Sequence, residues 1–223
     1  MSNWTWSAWL TQTFWTALGQ TLLMVSVTLL IGGLLGLALG LTLYGTRPGG
    51  VIENRGLYWV LSVIVNIIRP IPFVIFITVM TPVTLVVMGA YIGTVPAIFP
   101  MTIVCTVATS RIVEQSLVAT DPSIVEAGRA MGASRAHILF RILVPEALAP
   151  LILGYTFLFV GVLDLSAVAG AVSSGGLGQF AISDGYAKFN NLVTLVAVVT
   201  MILLVQLVQL LGNYLARLIL KRR

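Results

Sequence analysis

Charged side chains are scarce in this 223-residue chain, where they make up 9% of the residues. Soluble domains average about 25% charged residues, so this composition excludes an ordinary globular protein. The hydrophobic fraction of 58% and the mean hydropathy of +1.04 exclude a disordered one. A helix that crosses about 30 Å of hydrocarbon needs roughly 20 apolar residues. We therefore predict an all-α integral membrane protein, with residues 1–223 forming a single transmembrane domain of five helices.

Cysteine, histidine and lysine are nearly absent, and each absence removes a class of function. The single cysteine, Cys105, excludes a disulfide framework and a cysteine metal cluster. The single histidine, His137, excludes any two-histidine metal site within the chain. The two lysines follow Ala187 and Leu220, so neither completes a glycine-rich phosphate loop. We expect no catalytic residue, no metal and no cofactor in this chain.

Apolar runs separated by polar segments indicate where the spans lie. The opening stretch carries four of the five tryptophans and resembles no secretory signal. Because tryptophan favours the membrane boundary, we predict a retained interfacial segment at 1–14. Proline removes a backbone donor, so the second span is expected to bend near Pro70. The predicted spans are 20–44, 57–81, 95–110, 147–170 and 190–215.

Basic residues are distributed unevenly between the two sides of such a bundle. If the amino terminus lies outside, the inner segments 45–56, 110–146 and 216–223 hold ten of the twelve basic residues. This asymmetry follows the positive-inside rule, so we predict an outer amino terminus and an inner carboxyl terminus. It also places the positive charge beside anionic lipid rather than nucleic acid.

The segment 110–146 is the one long polar stretch. Asp121 or Ser123 can cap a helix, and Ser123 with Glu126 forms a capping box. Gly132 suits the position just past the end of that helix. A second short helix is expected to follow and to end before the next proline. Local chemistry thus predicts two small helices at the membrane face, and on this ground alone the loop could be passive.

The same loop resembles the EAA loop of ABC-importer permeases. Glu126-Ala127-Gly128 is followed at the family's spacing by Gly132 and by Ile142-Leu143-Val144-Pro145, with Gly128 and Val144 as departures. In that family this loop is the coupling helix that docks on a cytoplasmic ATPase subunit. The resemblance implies that the coupling residues are Ser123, Glu126, Ala127, Gly128, Arg129, Met131, Gly132, Ala133, Ile142 and Pro145.

The resemblance extends over about residues 20–220 and narrows to methionine-type uptake permeases. It is carried by the segments 62–73, 111–114, 128–133 and 166–172 and by Gly175-Gly176-Leu177-Gly178, whereas Leu165 stands where tyrosine is usual. It implies an importer of D- or L-methionine or close analogues in the bacterial cytoplasmic (inner) membrane. Its expected partners are two ATPase subunits that hold ATP and Mg, and an extracytoplasmic solute-binding protein or lipoprotein. Because five spans without an internal repeat are too few to enclose a pathway, we expect a homodimer.

Polar residues within the spans are candidates for the pathway. Arg69 either lines an outer gate or forms a structural salt bridge, for example with Asp164. Asp164 itself is either solvated at the outer mouth or part of the pathway. The glycine-rich stretch 173–178 cannot satisfy its own backbone, so it is expected in an outer vestibule that protein or water covers. The candidates are Asn66, Arg69, Pro70, Asp164, Ser166, Gly175 and Gly176.

Two sets of residues suggest helix packing. Gly32, Gly36 and Gly40 recur every four residues on one helix face, which allows close approach of a helix from the same chain or from a second copy. Gln206 and Gln209 share a face of the last span, where amides hydrogen-bond between helices.

Three alternatives remain open. The same machinery could import another amino acid or a small peptide. An ion-gradient-driven secondary transporter would need paired carboxylates within the spans, where only Asp164 is available. An intramembrane enzyme would need a nucleophile and a base, yet the single histidine lies in the polar loop.

Overall fold

The computed structural model describes residues 7–172 and 174–221, and every regular element in this part of the chain is helical. The α-helices are α1 (Ala8–Thr46), α2 (Arg55–Ile68), α3 (Phe73–Val79), α4 (Thr81–Met88), α5 (Thr94–Val118), α6 (Pro122–Ala130), α7 (Arg135–His137), α8 (Val144–Glu146), α9 (Leu148–Ala171), α10 (Gly176–Gln179) and α11 (Asn191–Lys221). A π-helical segment, Ile138–Leu143, joins α7 to α8. A second, Phe180–Gly185, follows α10 and leads into a 3-10 turn at Tyr186–Lys188.

Four of these helices are long and apolar enough to cross a membrane, namely α1, α5, α9 and α11. Helices α2 and α3 meet the same test only as a pair, bent by 104°. The bend lies at Pro70 and Pro72, where two missing backbone donors interrupt the helical ladder. The predicted kink is confirmed, and the described residues hold four or five candidate spans.

The first helix is longer than the sequence suggested. It begins at Ala8 rather than near residue 20, so no backbone break separates residues 8–14 from the span. Leu10 and Ala17 are buried against Phe180, which holds the early turns in the fold. Residues 1–6 of the expected interfacial segment lie outside the described residues, and the interfacial location of 1–14 remains a prediction.

The third predicted span also ends too early. Helix α5 continues to Val118, so the first residues of the polar segment 110–146 extend a membrane helix rather than begin a loop. Val113 and Leu117, four residues apart, are both fully buried. The free energy gained by burying these two side chains stabilises the last turns of α5 although polar residues lie between them. Tertiary packing of an apolar face, and not composition alone, thus sets where the helix ends.

The chain folds into two compact units. The first comprises the described residues of 1–32, 71–105 and 159–208. Its apolar core consists of Leu10, Ala17, Leu177, Phe180, Val193 and Ala197. Phe14 packs edge-on against Phe180, with the ring centroids 5.8 Å apart.

The second unit comprises the described residues of 33–70, 106–158 and 209–223. Its main core consists of Tyr44, Val51, Val113, Leu117, Ile138, Leu139, Leu143, Ala147 and Leu151. This core gathers the end of α1, the end of α5, the π-helical segment 138–143 and the start of α9. The polar loop is therefore anchored by the apolar residues that flank it.

Candidate functional site: a two-helix loop, a glycine turn and a polar network

Local capping chemistry sets both ends of α6. The Ser123 backbone N–H donates to the Asp121 carboxylate over 2.9 Å, which lowers the pKa of Asp121. Asp121 is thus the N-cap and Pro122 occupies the first turn. The predicted capping box on Ser123 is wrong, because Ser123 already lies inside the helix. Past the other end, Gly132 has φ +73°, the left-handed conformation that its position predicts.

Gly128 is the buried residue of α6. A Cβ added there would lie 3.2 Å from Ile142 Cδ1 and 3.3 Å from Ile138 Cγ1. The absent side chain therefore lets α6 rest directly on the π-helical segment 138–143. We expected the second helix of the loop to stop before Pro145. The helical segments instead run on to Glu146. They do so because the wider π turn, in which the Val144 N–H donates to the Leu139 carbonyl, precedes the proline ring.

The remaining predicted coupling residues are mostly exposed. Met131, with 76% of its surface accessible, projects most. Ala133, Ile142 and Pro145 are half-buried, while Ser123, Glu126, Ala127, Arg129, Met131 and Gly132 are exposed. Arg129 nevertheless has a partner in its own chain, since its Nη2 donates to the Gly50 carbonyl over 3.2 Å. This bond ties α6 to the connection between α1 and α2.

The glycine turn, Ser174–Gln179, is held by side chains from distant parts of the first unit. Gln20 Oε1 accepts from the Gly176 N–H and Thr21 Oγ1 accepts from the Leu177 N–H, each over 2.8 Å. Gly175 and Gly176 have φ +86° and +80°, which glycine tolerates. Such irregular backbone survives at membrane depth only when its polar groups are satisfied, as they are here. Residue 173 of the expected glycine-rich stretch lies outside the described residues, and the remainder is irregular up to Gly176, where the single turn α10 begins.

The sequence analysis did not predict a role for Gln20 or Thr21. The only local signal was polarity at the start of an apolar run, and nothing there indicates a partner more than 150 residues away. A cavity of about 430 Å³ opens beside the turn and is lined by Trp9, Gln20, Gly175 and Phe180 among others.

A polar network joins α2 to α5 in the second unit, and most of its members were not anticipated. Arg111 forms a salt bridge with Glu114. It also donates to Ser62 Oγ over 3.0 Å and to Asn66 Oδ1 over 2.8 Å. The Arg111 and Glu114 side chains are only 14% and 10% exposed. The signal available in the sequence was two ionisable residues one turn apart at the end of a span.

The other pathway candidates lie in varied surroundings. Arg69 and Pro70 are exposed at the end of α2, and Asp164 is exposed on α9. Ser166 is buried and donates to the Leu163 carbonyl over 2.7 Å, a bond within its own helix. Among the described residues Arg69 forms no salt bridge, so the expected pair with Asp164 does not occur there.

The glycine stripe of α1 faces α5. A Cβ on Gly32 would lie 2.8 Å from Cys105 Cβ, and one on Gly40 would lie 2.6 Å from Val113 Cβ. Gly36 is equally close to Thr106 and Thr109.

On α11, Gln206 is exposed and Gln209 is half-buried. No cluster of three His, Cys, Asp or Glu suitable for a metal occurs among the residues that the structure describes.

Comparison with known proteins gives related sequences over most of the chain. The family described as binding-protein-dependent transport system inner membrane component matches residues 34–222. The probable D-methionine transport system permease protein MetI of Vibrio cholerae is 37% identical over 182 residues, 82% of this chain and 80% of that protein. The methionine import system permease protein MetP of Bacillus subtilis is 35% identical over 180 residues, 81% of each.

Solved structures share the fold. An inward-facing structure of the MetNI methionine ABC transporter aligns with a TM-score of 0.93 and 37% identity, covering 96% of this chain and 99% of that one. An amino acid ABC transporter with histidines aligns with a TM-score of 0.77 over 93% and 94%, and its 19% identity indicates the fold alone. The architecture is that of an ABC-importer permease subunit.

The chain belongs to the family of binding-protein-dependent transport system inner membrane components. It is therefore a transport subunit that crosses the inner membrane several times. Its many exposed apolar side chains, such as Leu34, Trp59 and Leu210, suit a lipid environment. The resemblance to methionine-type uptake permeases is confirmed.

Proposed function

We propose that this chain forms the translocation pathway of an ATP-driven importer of D- or L-methionine or close analogues. The observation that carries the proposal is its alignment over 96% of its length with the permease of a methionine ABC transporter. The names of the Vibrio cholerae and Bacillus subtilis relatives point to the same cargo.

In this proposal five spans cross the membrane, with the amino terminus outside and the carboxyl terminus inside. They are α1, the bent pair α2 and α3, α5, α9 and α11. Counting the bent pair as one span supports this topology, and so does the excess of basic residues in the segments that it places inside.

The working importer contains two copies of this chain around one pathway. Two cytoplasmic ATPase subunits hold ATP and Mg, and an extracytoplasmic solute-binding protein or lipoprotein delivers the cargo. ATP hydrolysis belongs to the partner subunits, and this chain converts their movement into a change of access. The description of the family, an inner membrane component of a binding-protein-dependent transport system, supports this assembly.

The exposed face of α6 is the surface on which we expect the ATPase to act. Glu126, Ala127 and Met131 lie on the side away from the core, whereas Gly128 rests on the π-helical segment 138–143. Movement of α6 would therefore pass through Ile138 and Ile142 to the start of α9. A packed contact of this kind transmits rigid-body motion, because close-packed side chains do not deform continuously.

The pathway and its gate are assigned to Asn66, Arg69, Pro70, Asp164, Ser166, Gly175 and Gly176. The bend after α2 and the glycine turn each interrupt regular helix, and interrupted helices in transporters line cavities. The glycine turn belongs to the outer vestibule in this topology.

Uptake of labelled methionine tests the proposal. Cells that lack the gene are compared with cells in which the intact chain or a Gly132→Leu variant is restored at equal expression. We expect uptake to return with the intact chain and to fail with the Gly132→Leu variant, whereas the exposed control Gly19→Ala, whose added Cβ meets nothing within 4 Å, restores it. Unchanged uptake in the deletion strain, with no redundant system, would remove methionine, and a panel of other amino acids and peptides would then identify the cargo.

A further inference from the structure

A cavity of about 560 Å³ lies in the second unit between α2 and α5. Arg69, Arg111 and Glu114 contribute its charges, and Ser62 and Asn66 contribute polar groups. Its volume is in the range of small-molecule sites. Tyr58 and Val118 add apolar surface to the same cavity.

The charges in this cavity do not balance. Arg111 is paired with Glu114, so these two residues neutralise each other. Arg69 is exposed and, among the residues that the structure describes, its guanidinium has neither a salt bridge nor a side-chain hydrogen bond. One positive charge is therefore left over at the cavity, and a guanidinium binds a carboxylate through two parallel hydrogen bonds.

The paired residues also make the cavity rigid. Arg111 holds both Ser62 and Asn66, and the Asn66 amide donates in turn to Ser62 Oγ over 3.4 Å. A network whose members fix one another presents its polar groups in one arrangement. A purely structural role explains Arg111 and Glu114 but leaves Arg69 unexplained, because an unpaired charge within a span is costly and usually functional.

The position of Arg69 argues against a lipid headgroup as the ligand. It lies 14 residues beyond Arg55, the first residue of α2, which is about 21 Å by helical rise. A span that starts at one membrane face reaches the interior of a roughly 30 Å hydrocarbon core at that distance. A small solute in transit reaches this depth more readily than a lipid phosphate does.

We propose that this cavity is a cargo subsite in which Arg69 binds the carboxylate of an amino acid. Asn66 adds an amide donor, and Tyr58 and Val118 contact an apolar side chain. The inference rests on the proposed function, since it assumes amino-acid cargo, and it assigns the recognition chemistry within the membrane to α2 and α5.

Photo-methionine, the diazirine analogue of methionine, tests the inference directly. The purified complex of permease and ATPase subunits in phosphatidylcholine nanodiscs is irradiated with this probe, without solute-binding protein, and labelled peptides are read by mass spectrometry. We expect label on residues 55–69 and 111–119 that methionine displaces and methioninol, which lacks the carboxylate, does not.

Two arginine variants distinguish a specific effect of Arg69 at the cavity from the effect of removing any one positive charge. Arg69→Gln should reduce labelling about tenfold, as expected for a lost hydrogen bond to a charged group. Arg55→Gln removes an equally positive side chain that is 79% exposed and paired with Glu53, and it should leave labelling unchanged. Equal elution of both complexes on size exclusion shows that assembly is intact.

Several results would overturn the inference. These are absence of label in the intact complex, unchanged labelling in Arg69→Gln, equal loss in Arg55→Gln, or equal competition by methioninol. Loss of label only in phosphatidylglycerol nanodiscs would assign the cavity to an anionic lipid headgroup instead. The competition arm uses the intact chain alone, so it decides the question even if Arg69→Gln fails to assemble. If cells still import methionine while label is absent, the cargo subsite is wrong and the proposed function stands; if they import none, the proposed function itself fails.

Discussion

Replacing Gly36 by alanine should destabilise the protein although alanine is the better helix former. Gly36 lies inside α1, ten residues before its end, and an added Cβ would come within 2.7 Å of the Thr106 carbonyl oxygen and 2.9 Å of Thr109 Cγ2. Real Cβ atoms do not approach backbone this closely, so α1 and α5 must move apart. The Thr106 oxygen belongs to the helix backbone and cannot rotate away.

The magnitude follows from two opposing terms. Alanine is favoured over glycine in a helix by about 1 kcal/mol, whereas inserting a carbon into a packed contact costs about 1–3 kcal/mol. Because the contact includes backbone, we expect the upper part of that range and a net loss of about 1–2 kcal/mol. For a chain of this size that corresponds to a fall of roughly 2–8 °C in the thermal midpoint.

Gly19→Ala is the matched control. It lies on the same helix, and nothing comes within 4 Å of its added Cβ, so only the favourable helix term remains. The assay is thermal unfolding of both purified variants in one detergent, followed by the fraction that elutes as intact protein on size exclusion. A midpoint for Gly36→Ala equal to or above that of Gly19→Ala would show that α1 and α5 separate at no cost, which would refute the packing argument.

Three further predictions concern the loop. Gly132→Val should raise amide exchange in α6, because a β-branched residue at φ +73° is strained; unchanged exchange would contradict this. Arg129→Gln loses the bond to the Gly50 carbonyl, so ATP hydrolysed per methionine imported should rise, and an unchanged ratio would show that the bond does not matter for coupling. The pKa of Asp121 is lowered by the Ser123 N–H, so the cap stabilises α6 above the usual aspartate pKa of about 4 and is lost as pH falls through the lowered value. Amide exchange in α6 should therefore speed up in acid, and in Asp121→Asn this acid dependence should disappear.

The loop could be predicted closely because its ends depend on neighbours in sequence. The side-chain cap at the start of α6 and the left-handed Gly132 past its end each depend on residues within about one turn in sequence. Both features occur in the structure. The sequence left the cap open between Asp121 and Ser123, and Asp121 takes it because Pro122, with its fixed φ, starts the helix two positions earlier than a capping box on Ser123 requires. The continuation through Pro145 was missed because a π turn is set by packing around Ile138 and Leu143.

The polar network and the glycine turn could not be predicted in the same way. Arg111 meets Ser62 and Asn66 across more than 40 residues of chain, and Gln20 meets Gly176 across 156. Nothing in the neighbourhood of either residue specifies such partners. Sequence reasoning found Asn66 and Gly176 as isolated polar or irregular positions, but it could not join them to the residues that hold them.

The sequence by itself determined that this is a helical membrane protein with a polar two-helix loop, since transfer of apolar side chains and helix capping are local properties that sum along the chain. Only the tertiary structure decided where α1 and α5 end, which of the charged side chains are paired and how the glycine turn is satisfied. The physical reason is that a buried polar group must find a partner wherever the folded chain supplies one. Arg69 is exposed and has no salt bridge among the described residues, and that too is a property of the fold rather than of any motif.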